Sequence, residues 1–301
     1  MAALAWALIA APARAANFLS SIGPVALSQR AHLIEVTMLT LIAVLPVLIG
    51  VPLIFWRYRR GNGTAAYAPE WKSNRVLEWV MWGVPLAIVA VLGTMLWNET
   101  HRWAPERALG PAPIEIEAVG LNWKWLFLYP DGRAASLGEL VLPAGRPVTL
   151  KLTSDTVMQS FMIPSLAGQL YAMPGMVTRL NIEADRPAIT KGRNMQYNGN
   201  GFAGEGFSVR VLDPARYQSW IASARSSKII LDERLYDRLA RPGSLSQARA
   251  LIGEGGKDSQ AMRLEDTKLF AAIVARYHAG TPVMPSSQPG APAYHADGAP
   301  Q

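Results

Sequence analysis

The sequence of 301 residues predicts a two-helix membrane hairpin, an all-β Greek-key sandwich and a C-terminal helical segment. Three observations carry that reading. Residues 33–56 and 76–97 are apolar almost throughout, and each exceeds the ~20 residues that cross a ~30 Å hydrocarbon core as a helix. From about residue 114 apolar residues recur at every second position between turn signals, the period of short strands. After Asp213-Pro214 the spacing returns to that of helices, as in ARYQSWIASA, SLSQARALIGEG and EDTKLFAAIVARYH.

Taken in order, residues 1–16 form a short apolar stretch ending in small residues around Ala13-Arg14-Ala15, the pattern of a secretory signal. Residues 17–32 follow as an external segment, and 33–56 are the first span, with Glu35 as an interfacial acid at its outer end. The connection 57–75 carries Arg57, Arg59, Arg60, Lys72 and Arg75 against the single acid Glu70, so the positive-inside rule makes it cytoplasmic. The second span, 76–97, returns the chain to the periplasmic side, and Trp56, Trp79, Trp82 and Trp97 sit towards the span ends as interfacial aromatics do. A Pro-marked linker covers 98–112, and the sandwich covers 113–213. Its strands include IEIEAVG, NWKWLFLY, PVTLKLTS, VMQSFMIP, MVTRLNIE and GFSVRVLD, expected to pair antiparallel. The helical region runs from 214 to 280, and 281–301 is an Ala/Pro/Ser tail of disordered composition.

Composition narrows the function classes. Hydrophobic residues make up 50% and charged residues 17%, an apolar balance that suits a membrane protein. The net charge of +7 comes with no Lys/Arg cluster interleaved with aromatics, so nucleic acid is excluded as a partner. There is no cysteine, which removes disulfides, thiolate metal sites and Cys nucleophiles. Gly199-Asn200-Gly201-Phe202-Ala203-Gly204 spells G-x-G-x-x-G, but a strand, FSVRVL, follows it instead of a helix whose amides could hold a phosphate. The stretch reads as a glycine-permitted connection into the last strand. Met158, Met162, Met173, Met176 and Met195 read as core filler in preference to a thioether copper site.

The signal, hairpin and external sandwich together resemble subunit II of the haem-copper terminal oxidases. The resemblance rests on the second helix with Glu78 seven residues before Pro85, on LNWKWLFLYP (121–130), on TSDTVMQSFMIPSLAGQLYAMPGM (153–176) and on YNGNGFAGEGF (197–207), and it covers about residues 20–280. It implies that the sandwich is cupredoxin-like. In the cytochrome c oxidase branch such a domain holds a dinuclear copper centre with Cys, His and Met ligands. Here Gln159 stands at the matching place of the first His, and the C-x-x-x-C loop is replaced by Asn200 to Gly204. The only histidines are His32, His101, His278 and His295. The departure implies the quinol oxidase branch, with no cofactor in this chain and with haems and copper in a partner subunit I.

The implied role is a non-metallated subunit of a proton-translocating quinol:O2 oxidoreductase in the bacterial inner membrane. Its partners would be subunit I, other oxidase subunits, lipid and the quinol pool, and not cytochrome c. Glu78, at the cytoplasmic end of the second helix, matches a glutamate near the mouth of a proton channel in subunit I, and a snorkelling acid paired with Arg75 is the competing reading. Trp123, Trp125, Phe127 and Tyr129 stand as subunit-interface candidates, with core packing as the alternative. The alternative function is a free-standing membrane-anchored sandwich that binds a periplasmic partner; a cytochrome c oxidase subunit II is nearly excluded by the absent copper ligands.

Overall fold

A computed structural model describes residues 19–63, 70, 74–253 and 261–278. The proposed signal, residues 1–16, the tail 281–301 and Lys72 lie outside the described residues. The chain forms two units: residues 28–104, which hold the long helices, and a second made of residues up to Leu27 together with those from Pro105 onward.

In the first unit α1 spans Pro24–Arg57 and α2 spans Arg75–Arg102. Both are longer than their apolar runs, because helical hydrogen bonding continues where the sequence turns polar. The 34 residues of α1 extend about 51 Å at 1.5 Å per residue, more than the hydrocarbon core. Both are long and apolar enough to cross a membrane. Ile49, Leu53, Phe55, Trp79, Trp82 and Leu86 are exposed along them, an apolar surface far beyond what a soluble monomer presents. At one end Ser28 Oγ donates to Glu99 Oε2 at 2.7 Å, tying the two helices together.

The segment before α1 belongs to the other unit. Ile22 N–H donates to Ser165 O at 2.9 Å, and Ile22 O accepts from Asp185 N–H at 2.8 Å. The chain thus leaves this unit at Leu27 and rejoins it at Pro105.

The second unit is a two-sheet sandwich. Its strands are β1 (Ile114–Leu121), β2 (Lys124–Tyr129), β3 (Ala134–Leu137), β4 (Glu139–Pro143), β5 (Pro147–Ser154), β6 (Gln159–Ile163), β7 (Ala167–Ala172), β8 (Thr178–Glu183), β9 (Ala188–Asn194), β10 (Gly206–Leu212), β11 (Ile230–Leu231) and β12 (Ala261–Leu264). Among them run α3 (Pro214–Arg225), α4 (Glu233–Ala240), α5 (Leu245–Ile252) and, last, α6 (Leu269–Ala275). One sheet has the order β11-β12-β3-β2-β1-β5-β8 and the other β4-β10-β9-β6-β7. The expectation of purely antiparallel pairing is corrected: β1 lies parallel to β5, and β4 parallel to β10. Parallel neighbours need a crossover, and the chain makes one by switching sheets between β3 and β4. Gly138 is the hinge, at φ +70; its N–H donates to Trp125 O in one sheet and its carbonyl accepts from Ser208 N–H in the other.

Two further corrections concern burial. β2 begins at Lys124, because Asn122 and Trp123 form the β1–β2 turn with Trp123 at φ +66. Trp125, Phe127 and Tyr129 point between the sheets and are buried, Trp125 to 0% exposure, so these three cannot offer a partner surface. The ring pairs Trp125–Phe161 at 5.1 Å, Phe127–Phe207 at 5.2 Å and Phe161–Phe207 at 5.0 Å form the interior cluster. The other face of β2, Leu126 and Leu128, is covered too. It packs with Val119, Leu121 and Leu137 against Leu235, Tyr236, Leu239, Phe270 and Ile273 of α4 and α6. The C-terminal region holds the expected helices, α3 to α6, and does more. It supplies β11 and β12 to the larger sheet and a second core over its outer face.

Candidate functional site

Four connections meet at one end of the sandwich, the end that carries the positions singled out by sequence. The β1–β2 turn holds Trp123. The β5–β6 loop is tied to β1 by Asp155 N–H, which donates to Gly120 O at 3.0 Å. The β7–β8 loop is reached by Thr153 Oγ1, which donates to Met173 O at 3.2 Å. The β9–β10 loop starts from Met195, whose N–H donates to Ser160 O at 3.0 Å.

Gln159 is fully buried there. Its Nε2 donates to Leu121 O at 2.9 Å and to Thr156 Oγ1 at 3.2 Å, so both amide protons go to the protein's own framework, while Oε1 is buried without a partner among the described residues. Gly120 makes room for it: a Cβ there would sit 2.5 Å from Gln159 Oε1. Asn200 is exposed, and the space beside Gly204 is open. In the glycine loop, Gly199 adopts φ +109 and Gly201 lies directly under the Trp123 ring, where any Cβ would collide with the indole. Trp123 Nε1 donates to Asn198 O at 3.2 Å. Gly199 and Gly201 thus let an aromatic ring close over the loop.

The polar centre of this end is Glu205, 4% exposed. Its Oε2 accepts from Asn198 Nδ2 at 2.6 Å and Asn194 Nδ2 at 3.1 Å. Asn194 in turn takes the N–H groups of Ser160 and Gln196, each at 2.9 Å, on its Oδ1. Burial raises the Glu205 carboxyl to about 7, against the lowering effect of the two amides and of Lys124. Lys124, also buried, donates through Nζ to the carbonyls of Asn122 (3.1 Å), Arg241 (2.8 Å) and Gly243 (3.1 Å), which uses its three protons. Burial lowers this ammonium to about 8, while Glu205 favours its charge.

A second buried centre was not visible in the sequence. Asp155, fully buried in the β5–β6 loop, accepts from Tyr236 OH at 2.5 Å and Arg276 Nη1 at 3.0 Å on Oδ2, and from Tyr277 OH at 2.9 Å on Oδ1. Desolvation raises its carboxyl above the usual range even though Arg276 and both tyrosines oppose the shift. His278, in the 3-10 turn after α6, reaches Gly175 O of the β7–β8 loop at 2.5 Å. The only sequence hint of this centre was an acid between two strands, and its partners lie 81 to 122 positions away.

Copper of the kind held by this fold needs thiolate and imidazole donors. The buried polar side chains at this end are amides, hydroxyls and carboxyls, among them Gln159, Asn194, Ser154, Thr156, Ser160, Asp155 and Glu205, so the residues present do not fit that metal. Among the described residues no group of three or more His, Asp or Glu could hold an ion. The methionines depart from expectation: Met158, Met176 and Met195 are exposed, because they lie in or beside the loops and not between the sheets. With Val157, Tyr171 and Tyr197, itself 68% exposed, they form an apolar surface at this end.

Four carboxyls held above their ordinary range by burial, those of Glu117, Glu139, Asp155 and Glu205, and one depressed ammonium give the domain a pH signature. Glu117 on β1 is also raised to about 7, chiefly by burial. A native state that holds these protons more tightly than the unfolded chain loses stability as pH rises from the ordinary carboxylate range through about 7. Lys124 acts oppositely and only above about 8, where its ammonium is lost in the native state first. The thermal midpoint is expected to be higher near about pH 5 than near about pH 7.5. Equal midpoints would contradict the assignment.

At the glutamate of the second helix, Asn74 caps α2, its Oδ1 accepting from Val76 N–H at 3.0 Å and Leu77 N–H at 3.2 Å. This sets Glu78 in the first turn and leaves it exposed.

Residues 133–203 match the family model described as cytochrome c oxidase subunit II, periplasmic domain. The chain is 37% identical over 222 residues to cytochrome bo(3) ubiquinol oxidase subunit 2 of Pseudomonas aeruginosa, covering 73% of this chain and 67% of the relative. It is 33% identical over 262 residues to ubiquinol oxidase subunit 2 of Acetobacter aceti, covering 86% and 81%. Among solved structures, the periplasmic domain of subunit II of cytochrome oxidase from Bradyrhizobium japonicum aligns at TM-score 0.37 and 21% identity, over 38% of this chain and 95% of that domain.

Proposed function

Because this chain belongs to the subunit 2 family of the haem-copper quinol oxidases, we propose that it is the non-metallated second subunit of a quinol:O2 oxidoreductase. Its α1–α2 hairpin anchors it in the bacterial inner membrane, with the loop after Arg57 cytoplasmic and the sandwich periplasmic. Electrons pass from quinol to redox centres in subunit I without visiting this chain. The observation that carries the reading is the donor set at the loop end of the sandwich: amides, hydroxyls and carboxyls, with no thiolate, occupy the region where an electron-relaying relative needs soft ligands.

The contact surface with subunit I is assigned to Trp123 and the exposed Val157, Met158, Tyr171, Met176, Met195 and Tyr197. Methionine and aromatic side chains suit such a surface because they bury large area while adapting in shape. Glu78 is assigned as a proton-collecting acid on the cytoplasmic side. Its place in a helix N-terminal turn keeps the carboxylate available for exchange with water, and Arg75 lies three residues before it.

Purification of this chain from native membranes in mild detergent is expected to bring down a haem-bearing partner with quinol-dependent O2 uptake and no copper in this subunit. A colourless chain recovered alone would favour a free-standing sandwich instead. In the assembled enzyme, Glu78→Gln is expected to slow turnover and proton uptake several-fold with assembly intact. Turnover and uptake equal to the parent would remove the proton-collecting role and leave Glu78 as an end-of-helix acid.

A further inference from the structure

Glu205 and Asn198 present a mismatch that one proton resolves. Asn198 Nδ2 donates to Glu205 Oε2 at 2.6 Å. The remaining oxygens of the same two groups, Glu205 Oε1 and Asn198 Oδ1, are both buried and both lack a partner among the described residues. Both are acceptors if the carboxyl is ionised, and a buried acceptor without a donor is costly. We propose that Glu205 is held as a neutral carboxylic acid whose Oε1 proton is donated to Asn198 Oδ1, closing a two-bond acid–amide pair that latches the β9–β10 loop.

The surroundings favour the neutral form. Lys124 on β2 spends its three protons on backbone carbonyls and makes no bond to Glu205. Lys191 and Arg193 on β9 and Arg249 on α5 line the same cleft, but they are exposed, so water screens them. Burial of Glu205 outweighs both influences and raises its carboxyl to about 7. The proton comes from water in the cleft and returns to it as pH rises. Loss of the proton leaves a buried anion with one unpaired oxygen and breaks one arm of the pair. The segment that loosens carries Met195 and Tyr197, two residues of the proposed contact surface. The latch is a property of this chain by itself, so it stands or falls separately from assembly with any partner.

The test uses the full-length chain in detergent, with Glu117→Gln introduced throughout to remove the other carboxyl raised to about 7. Infrared difference spectra between about pH 6 and about pH 8 are expected to show loss of a carboxylic-acid carbonyl band. Glu205→Gln keeps the pair, because the amide can donate to Asn198 Oδ1 and accept from Nδ2, and it is expected to abolish that band. Hydrogen exchange across residues 195–204, corrected for intrinsic rates, is expected to rise several-fold over the same range in the parent and to stay flat in the Gln variant. A parent without the acid band overturns the proposal, and so does a Gln variant that keeps the parent's pH dependence. A parent that lacks the band overturns the proposal even if the Gln variant does not fold, and the Gln variant assigns the band to Glu205 as distinct from the raised carboxyls of Asp155 and Glu139.

Discussion

Asp155→Ala is expected to destabilise the β-sandwich unit by about 3–5 kcal/mol, the range for removing one member of a buried charged group. The Asp155 carboxylate is the common acceptor of Tyr236, Arg276 and Tyr277. Its removal leaves two buried or half-buried hydroxyls and a guanidinium to find other partners. Arg276 is the least affected, since its side chain is a third exposed and Asp237 Oδ1 lies 4.0 Å from Nη2, which places the result towards the lower end. At roughly 2–4 °C per kcal/mol for a domain of this size, the thermal midpoint should fall by about 6–12 °C. Because the three partners stand on α4 and the turn after α6, hydrogen exchange in those segments should rise more than in β1 and β5. A midpoint within about 1 °C of the parent would show that the cluster contributes nothing net. Asp155→Asn, which keeps an acceptor in place, should lose less.

Trp125→Ala is expected to cost about 3–5 kcal/mol as well, through cavity formation in a close-packed interior. The indole lies between the sheets against Phe161 at 5.1 Å and Phe207 at 5.9 Å, and no part of it reaches solvent. The isolated domain should show the loss in thermal or denaturant unfolding before any partner is added. Trp123→Ala should behave differently. Its ring covers Gly199 and Gly201 in a surface turn, so the domain should stay folded while the β9–β10 loop loosens and retention of the partner subunit weakens. A Trp125 variant with parental stability and defective assembly would restore it as an interface residue.

The contrast between these two tryptophans shows how far local pattern reaches. Trp123, Trp125, Phe127 and Tyr129 alternate as one face of a strand, and three of them do share a face. Trp123 leaves the series because the β1–β2 turn closes one residue later than the alternation suggests, with Trp123 itself in the left-handed region. Whether the shared face is core or surface depends on what packs against it, and both faces of β2 turn out to be covered. Strands β3 and β12, AASL and AMRL, carry almost no β-branched or aromatic residues. Their pairing with each other is set by position in the sheet and not by propensity.

What the sequence determined by itself is local or compositional. Hydropathy over 33–56 and 76–97 is enough to mark two segments able to span a membrane, since that ability depends on the composition and length of each segment alone. The lack of any cysteine removes thiolate chemistry whatever the fold. The tertiary structure decided everything that depends on distant partners. It joined Asp155 to Tyr236 and Tyr277, set Lys124 under the carbonyls of Arg241 and Gly243, and closed Glu205 against Asn194 and Asn198 beneath the loop. A buried polar group is meaningful only with the donors and acceptors that surround it. Those are chosen by chain topology, which no window of neighbouring residues contains.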